Sequence, residues 1–225
     1  MLDMRDSVDG LRRVDPGYRA PRGKIRFSKT EVLHIVAAML VLTAAFSLVM
    51  RGSRLHPDPI INILYIAGVS LLVVAFSFLA HELGHKFVAQ RYNAWSEFRS
   101  NPMGLAIALV MSFVLGFFFA APGAVYIRGE ISQKMNGIIS LAGPAVNFVI
   151  AAVAIIVCLM FGGEITTIGH YIFYVLAYFN AFLGLFNMIP VPPFDGSKIL
   201  AWDIRIYIII AIIGAAEFAV VWLYL

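Results

Sequence analysis

The chain has 225 residues, 61% of them hydrophobic and 13% charged, with a formal net charge of +4. An ordinary soluble domain is about 45–50% apolar and about 25% charged. So much apolar surface in so short a chain excludes a soluble globular fold and points to lipid as the solvent.

The positive charge gathers at the start. Residues 1–30 hold Arg5, Arg12, Arg13, Arg19, Arg22, Lys24, Arg26 and Lys29 against Asp3, Asp6, Asp9 and Asp15. This pattern fits a basic cytoplasmic tail lying against anionic headgroups. It has no aromatic interleaving of the kind that binds nucleic acid, so no nucleic-acid partner is expected. Because the tail puts about thirty polar and charged residues ahead of the first apolar run, a cleavable signal peptide is not expected either.

Residues 31–225 read as a single membrane domain. Apolar runs at 32–50, 60–92, 138–161, 168–189 and 199–225 can each cross about 30 Å of hydrocarbon at about 1.5 Å per residue. The last run holds Asp203 and Arg205, so its buried part is expected to begin near Ile206, with Trp222 and Tyr224 at an interface. The single cysteine, Cys158, lies in an apolar run and allows no internal disulfide. A further apolar run, 105–121, contains Gly116 and leads into Pro122-Gly123. Hydropathy leaves open whether it crosses, dips in and returns, or forms strands packed on protein.

The chemistry concentrates in His81-Glu82-Leu83-Gly84-His85. On a helix, residues i and i+4 share a face, so both imidazoles can hold one Zn²⁺ while Glu82 beside them accepts a proton from water. Three ionisable residues directly after an apolar stretch mark function, because such groups are costly in a membrane span. A catalytic zinc takes three protein ligands and keeps one open position. His34, His56 and His170 lie near span starts or in a short loop, without supporting context. Asp195 is the better third ligand. It follows an apolar span, where a carboxylate needs a partner, and Pro190, Pro192 and Pro193 prevent a regular helix before it.

With these residues in view, the chain resembles the site-2 protease family of intramembrane zinc metalloproteases, peptidase family M50. Three motifs carry the likeness: His81-Glu82-Leu83-Gly84-His85, Ala142-Gly143-Pro144-Ala145-Val146-Asn147, and Asn187-x-x-Pro190 leading to Asp195-Gly196. The resemblance implies that His81, His85 and Asp195 bind one Zn²⁺, that Glu82 is the general base, and that Asn187 lies beside the site near the substrate backbone. It gives the Asn147 motif either a positioning role or a helix-packing role. Ser197 stands where relatives often have a second glycine, and the PDZ or CBS domain that many members carry is missing.

The shared metal also decides the 105–121 run. His81 and Asp195 must come within about 4 Å through one ion. A full crossing at 105–121 would deliver Asp195 to the opposite face, whereas a non-crossing segment brings both to the cytoplasmic side. The expected fold is therefore an all-α polytopic membrane protein with about five transmembrane helices. A membrane-embedded re-entrant or β-hairpin segment, at about 95–131, completes it. Residues 124–127 could offer a strand edge to an unwound substrate. The expected activity is hydrolysis of transmembrane protein or peptide substrates within the bilayer. Two alternatives are a prenyl-protein-type zinc peptidase, needing Glu130, Glu164 or Glu217 as a ligand, and a non-enzymatic metal-binding membrane protein.

Overall fold

Side chains that are good helix caps start the first two long helices. Ser28 Oγ accepts the Glu31 N–H at the head of α1 (Lys29–Val49), and Asp58 accepts from Ile60 and Ile61 at the head of α2 (Pro59–Val73). These caps belong to a computed structural model that describes residues 25–116, 122–160 and 168–225. The basic tail up to Lys24, and Glu164, lie outside the described residues.

A short 3₁₀ turn, Met50–Gly52, ends the first span. A π-helical stretch, Val74–Leu79, joins α2 to α3 (Ala80–Arg91), so one continuous helical rod of 33 residues carries His81, Glu82 and His85 near its end. Widened turns of this kind occur often at functional sites, where they re-aim the side chains that follow. Five described helices are long and apolar enough to cross a membrane: Lys29–Gly52, Pro59–Arg91, Gln133–Met160, Ile168–Asn187 and Ile204–Tyr224.

The segment after α3 is strand, helix, strand. β1 (Trp95–Ser100) pairs antiparallel with β2 (Gly123–Arg128), and α4 (Pro102–Leu115) lies between them. Asn101 caps α4 by accepting from Met103 and Gly104, Pro102 takes the first helical position, and Gly116 ends the helix in the left-handed region at φ 64°. At 14 residues, α4 is only about 21 Å long, short of the roughly 30 Å hydrocarbon layer. The 101–122 segment also starts and ends at one place, because Ser100 and Gly123 are register partners and the Asn101 N–H donates to Pro122 O at 2.8 Å. The chain thus leaves and re-enters the sheet at neighbouring residues.

α5 (Gln133–Met160) packs against α3, α6 (Ile168–Asn187) and α7 (Asp195–Trp202), and so forms the centre of the bundle. The last apolar run is two helices. Asp203, extended at φ −152°, caps α8 (Ile204–Tyr224) by accepting from Arg205 and Ile206, which breaks the helix between α7 and α8. The main apolar cluster joins α1, α2, β1, α4, α5 and α6 through Leu42, Phe46, Val69, Phe98, Ala108, Ala154 and Leu176.

The return of the 101–122 segment has a direct test. Cysteines placed at Tyr92 and at Glu130, in a Cys158→Ser background, should react with a membrane-impermeant maleimide from one and the same side. Labelling from opposite sides would mean that the segment crosses.

Candidate metal centre

α3 turns His81 and His85 to one side, and α7 brings Asp195 to meet them. The three donor atoms form a small triangle. His81 Nε2 and His85 Nε2 are 3.0 Å apart, and Asp195 Oδ2 lies 3.3 Å from the first and 3.1 Å from the second. All three residues are buried, as is Glu82.

Hydrogen bonding on the far side of each ring fixes its tautomer. His85 Nδ1 lies 2.8 Å from Ile139 O, which can only accept, so Nδ1 carries the proton. His81 Nδ1 lies 2.6 Å from Asn147 Oδ1. The Asn147 amide nitrogen donates to Ser77 O at 3.0 Å and to Asn180 Oδ1 at 2.8 Å, which leaves its oxygen as the acceptor for His81. Both Nε2 atoms therefore present lone pairs toward each other and toward a carboxylate oxygen. Three lone pairs facing one point repel unless a cation sits among them. Ligands at about 2.0–2.1 Å in a tetrahedral zinc site stand about 3.3 Å from one another, close to the edges of this triangle. The donor set fits Zn²⁺, with both imidazoles oriented by hydrogen bonds in the usual manner of metal-binding histidines.

Asp195 meets the two imidazoles with Oδ2. Its other oxygen, Oδ1, faces Lys198 Nζ at 3.3 Å.

Close approach of backbones makes the triangle possible. A Cβ on Gly143 would lie 2.4 Å from His85 Nε2 and 2.6 Å from His81 Nε2, so only glycine lets α5 pass beside the pair. A Cβ on Gly196 would lie 2.2 Å from Met188 O, so glycine there lets α7 tuck under the proline loop that carries Asp195 inward. The Asn147 motif thus does both things weighed for it: it packs through Gly143 and orients His81 through Asn147.

A cavity of about 280 Å³ opens beside the triangle, with Glu82, Asn187 and the backbone of β2 on its walls. Glu82 Oε2 accepts the Val125 N–H at 3.0 Å. Asn187 reaches the cavity wall, but its amide nitrogen donates to Leu183 O at 2.9 Å, back along α6. Among the described residues Glu82 is the one glutamate lining this cavity; Glu130 and Glu217 are not in it. His34 instead accepts the Ser100 N–H, His56 stacks on Tyr65, and His170 is buried in α6. Two participants had no side-chain signal in the sequence. The Val125 N–H is backbone, and Asn180, which donates to Ser77 Oγ and Leu176 O, was foreshadowed only by being an amide inside an apolar span.

Comparison with known proteins gives one consistent description. The model of peptidase family M50 matches residues 164–207, the stretch that holds α6, the proline loop and Asp195. The chain is 38% identical over 202 residues to a protein of Methanocaldococcus jannaschii named "Putative zinc metalloprotease MJ0611", covering 88% of this chain and 98% of that one. It is 32% identical over 132 residues to "Zinc metalloprotease MJ0392" of the same organism, covering 59% of this chain and 33% of that longer protein. It is 26% identical over 145 residues to "Putative zinc metalloprotease YwhC" of Bacillus subtilis, covering 58% of this chain and 66% of the relative. No solved structure matches the chain.

Substitutions that leave all three donors in place should still weaken metal binding. Gly143→Ala should leave purified protein well below one zinc per chain. Asn147→Ala should lower zinc affinity about 10–100-fold, measured by competition with a chelator, while helical content by circular dichroism stays unchanged.

Proposed function

Because the chain belongs to peptidase family M50, we propose that it cuts transmembrane substrates at the centre built from His81, His85, Asp195 and Glu82. The chain is a multi-pass membrane zinc metalloprotease; the residue roles, the substrate and the orientation are our reading. The observation that carries it is the triangle of donor atoms beside a buried glutamate and a cavity.

In this reading His81, His85 and Asp195 hold the ion. Zinc there supplies a Lewis acid that polarises the scissile carbonyl and brings the acidity of water near neutral pH. Glu82 accepts the proton of the attacking water and passes it to the leaving amine. The Val125 N–H engages Oε2 and leaves Oε1 for that exchange. Asn187, released from Leu183 O, orients the substrate carbonyl and donates to the charge that develops on it. Gly123, Ala124, Val125 and Ile127 of β2 line the cavity and can pair with an unwound substrate segment. A helical substrate must unwind there, because its carbonyls are otherwise occupied within the helix.

In this reading the N-terminus is cytoplasmic, supported by the basic residues up to Lys29. Residues 31–225 then act as one membrane domain, with the active-site end of α3 at the cytoplasmic side and the C-terminus outside. The prenyl-type alternative finds no third glutamate ligand among the described residues, and a non-enzymatic metal protein leaves Glu82 without a task.

The test uses purified protein in lipid nanodiscs with a single-span helical peptide. The wild type should cut it, and a zinc chelator should stop cutting. Glu82→Gln should retain one zinc per chain and lose about 10²–10⁴-fold in rate, the range for loss of a general base. Asn187→Ala, zinc-loaded, should lose about 10²-fold in kcat, as for removal of one oxyanion donor. Cutting by Glu82→Gln at the wild-type rate would reject the mechanism.

A further inference from the structure

A two-stranded sheet has two outer edges, and the two edges of this one are treated differently. On β1 the outward backbone groups belong to alternate residues, and side chains take three of them. The Phe98 N–H donates to Glu31 Oε1 at 2.9 Å, and the Ser100 N–H donates to His34 Nδ1 at 3.1 Å. Ser96 O accepts from Lys86 Nζ at 2.9 Å. Lys86 Nζ also donates to Glu31 Oε2 at 2.9 Å and lies 4.6 Å from the centre of the Phe27 ring. Glu31 and Lys86 are both 0% exposed. Their pairing satisfies the ammonium and both carboxylate oxygens at once.

On β2 the outer edge faces the metal centre. Val125, the register partner of Phe98, gives its N–H to Glu82. Glu82 and Lys86 are i and i+4 on α3 and share one face of that helix. α3 therefore grips both edges of the sheet, β2 through Glu82 and β1 through Lys86.

We propose that Glu31, His34 and Lys86 are positioning residues for catalysis: they stand in for a third strand on β1, seal that edge, and set the height of the sheet over Glu82. The proposal rests on the reading of Glu82 as the general base. A buried ion pair by itself contributes little net stability, because desolvation offsets its attraction. Satisfying backbone groups does more here, since a buried N–H or C=O group left without a partner keeps its full desolvation cost. Glu31 supplies an acceptor for a strand N–H and Lys86 a donor for a strand C=O, and neither could do the other's part. With β1 held in this way, the β2 edge keeps its place beside the cavity, and the Val125 N–H meets the Glu82 carboxylate at a fixed place.

The polarity of these bonds makes the proposal separable from simple ion-pair attraction. The exchange Glu31→Lys with Lys86→Glu keeps opposite charges on α1 and α3 but reverses both strand bonds. His34→Ala opens the edge at Ser100 and leaves the ion pair intact. Each full-length variant would be purified in nanodiscs and read for zinc per chain, for amide hydrogen exchange at 95–100 and 123–128, and for kcat and KM on the helical peptide.

We expect both to keep one zinc per chain. In the charge exchange, Phe98 and Val125 should exchange at least tenfold faster and kcat should fall at least tenfold. In His34→Ala, Ser100 should exchange at least tenfold faster and kcat should fall about threefold. A folded, zinc-loaded charge exchange with wild-type protection and kcat would overturn the proposal, and so would unchanged exchange and kcat in His34→Ala. Should the charge exchange not fold, His34→Ala decides alone. Failure of the protease reading has another signature: a zinc-loaded wild type that does not cut, or one whose cutting ignores Glu82→Gln.

Discussion

Two imidazole lone pairs and a carboxylate oxygen, drawn within 3.3 Å of one another in a buried site, form the arrangement on which the other features depend. It is unfavourable without a cation, so the surrounding structure must hold it against its own repulsion. α5 does most of this. Gly143 admits the two rings, Ile139 O and Asn147 fix which nitrogen of each carries a proton, and the helix packs α3 on one side and α6 and α7 on the other. Asn147 in turn is held by Ser77 and Asn180, which bond to each other, so the polar chain from His81 closes on itself. In a medium of low polarity that closure is what keeps the site rigid.

The pairing of β1 with β2 provides the second constraint. Since 101–122 starts and ends at neighbouring strand residues, α3 ends and α5 begins near the same sheet, and α5 and α6 lead the chain back to Asp195. A slip of one residue in this register would turn Phe98, packed edge-on to Phe78 at 5.7 Å, out of the apolar cluster. The register that defines the path of the chain is thus pinned from inside the bundle.

What could be read directly from the residues was whatever a short local spacing encodes. His81, Glu82 and His85 declare themselves because four residues make about one helical turn. Asp195 does so because a carboxylate after an apolar span needs a partner. The 105–121 run resisted hydropathy, because a 14-residue helix closed by Gly116 and a strand beginning at Gly123 are equally apolar. Only the requirement that His81 and Asp195 meet could show that it turns back. Trp95–Ser100 fell in the 95–131 segment left open between re-entrant and hairpin, because Glu97 and Arg99 interrupt its apolar pattern and its pairing partner lies far along the chain. Glu31 and Lys86 carry no local sign of a role; their burial depends on a strand edge that local spacing does not reveal. The role of the Val125 N–H has no side-chain signature at all.

Under the proposed mechanism the asymmetry of the sheet also bears on how a helical substrate is opened. Unwinding frees backbone N–H and C=O groups, and in a hydrocarbon environment each costs several kcal/mol unless it finds a partner. Lipid offers none. On the β1 edge Glu31, His34 and Lys86 already hold the Phe98 and Ser100 N–H groups and Ser96 O, so a substrate would find fewer partners there. β2 residues line the same cavity as Glu82 and Asp195. A segment that unwinds against β2 recovers bonds that it would lose in lipid. Opening of the substrate and presentation of its carbonyl to the metal centre are then one event, and the β1 edge matters as much as the β2 edge.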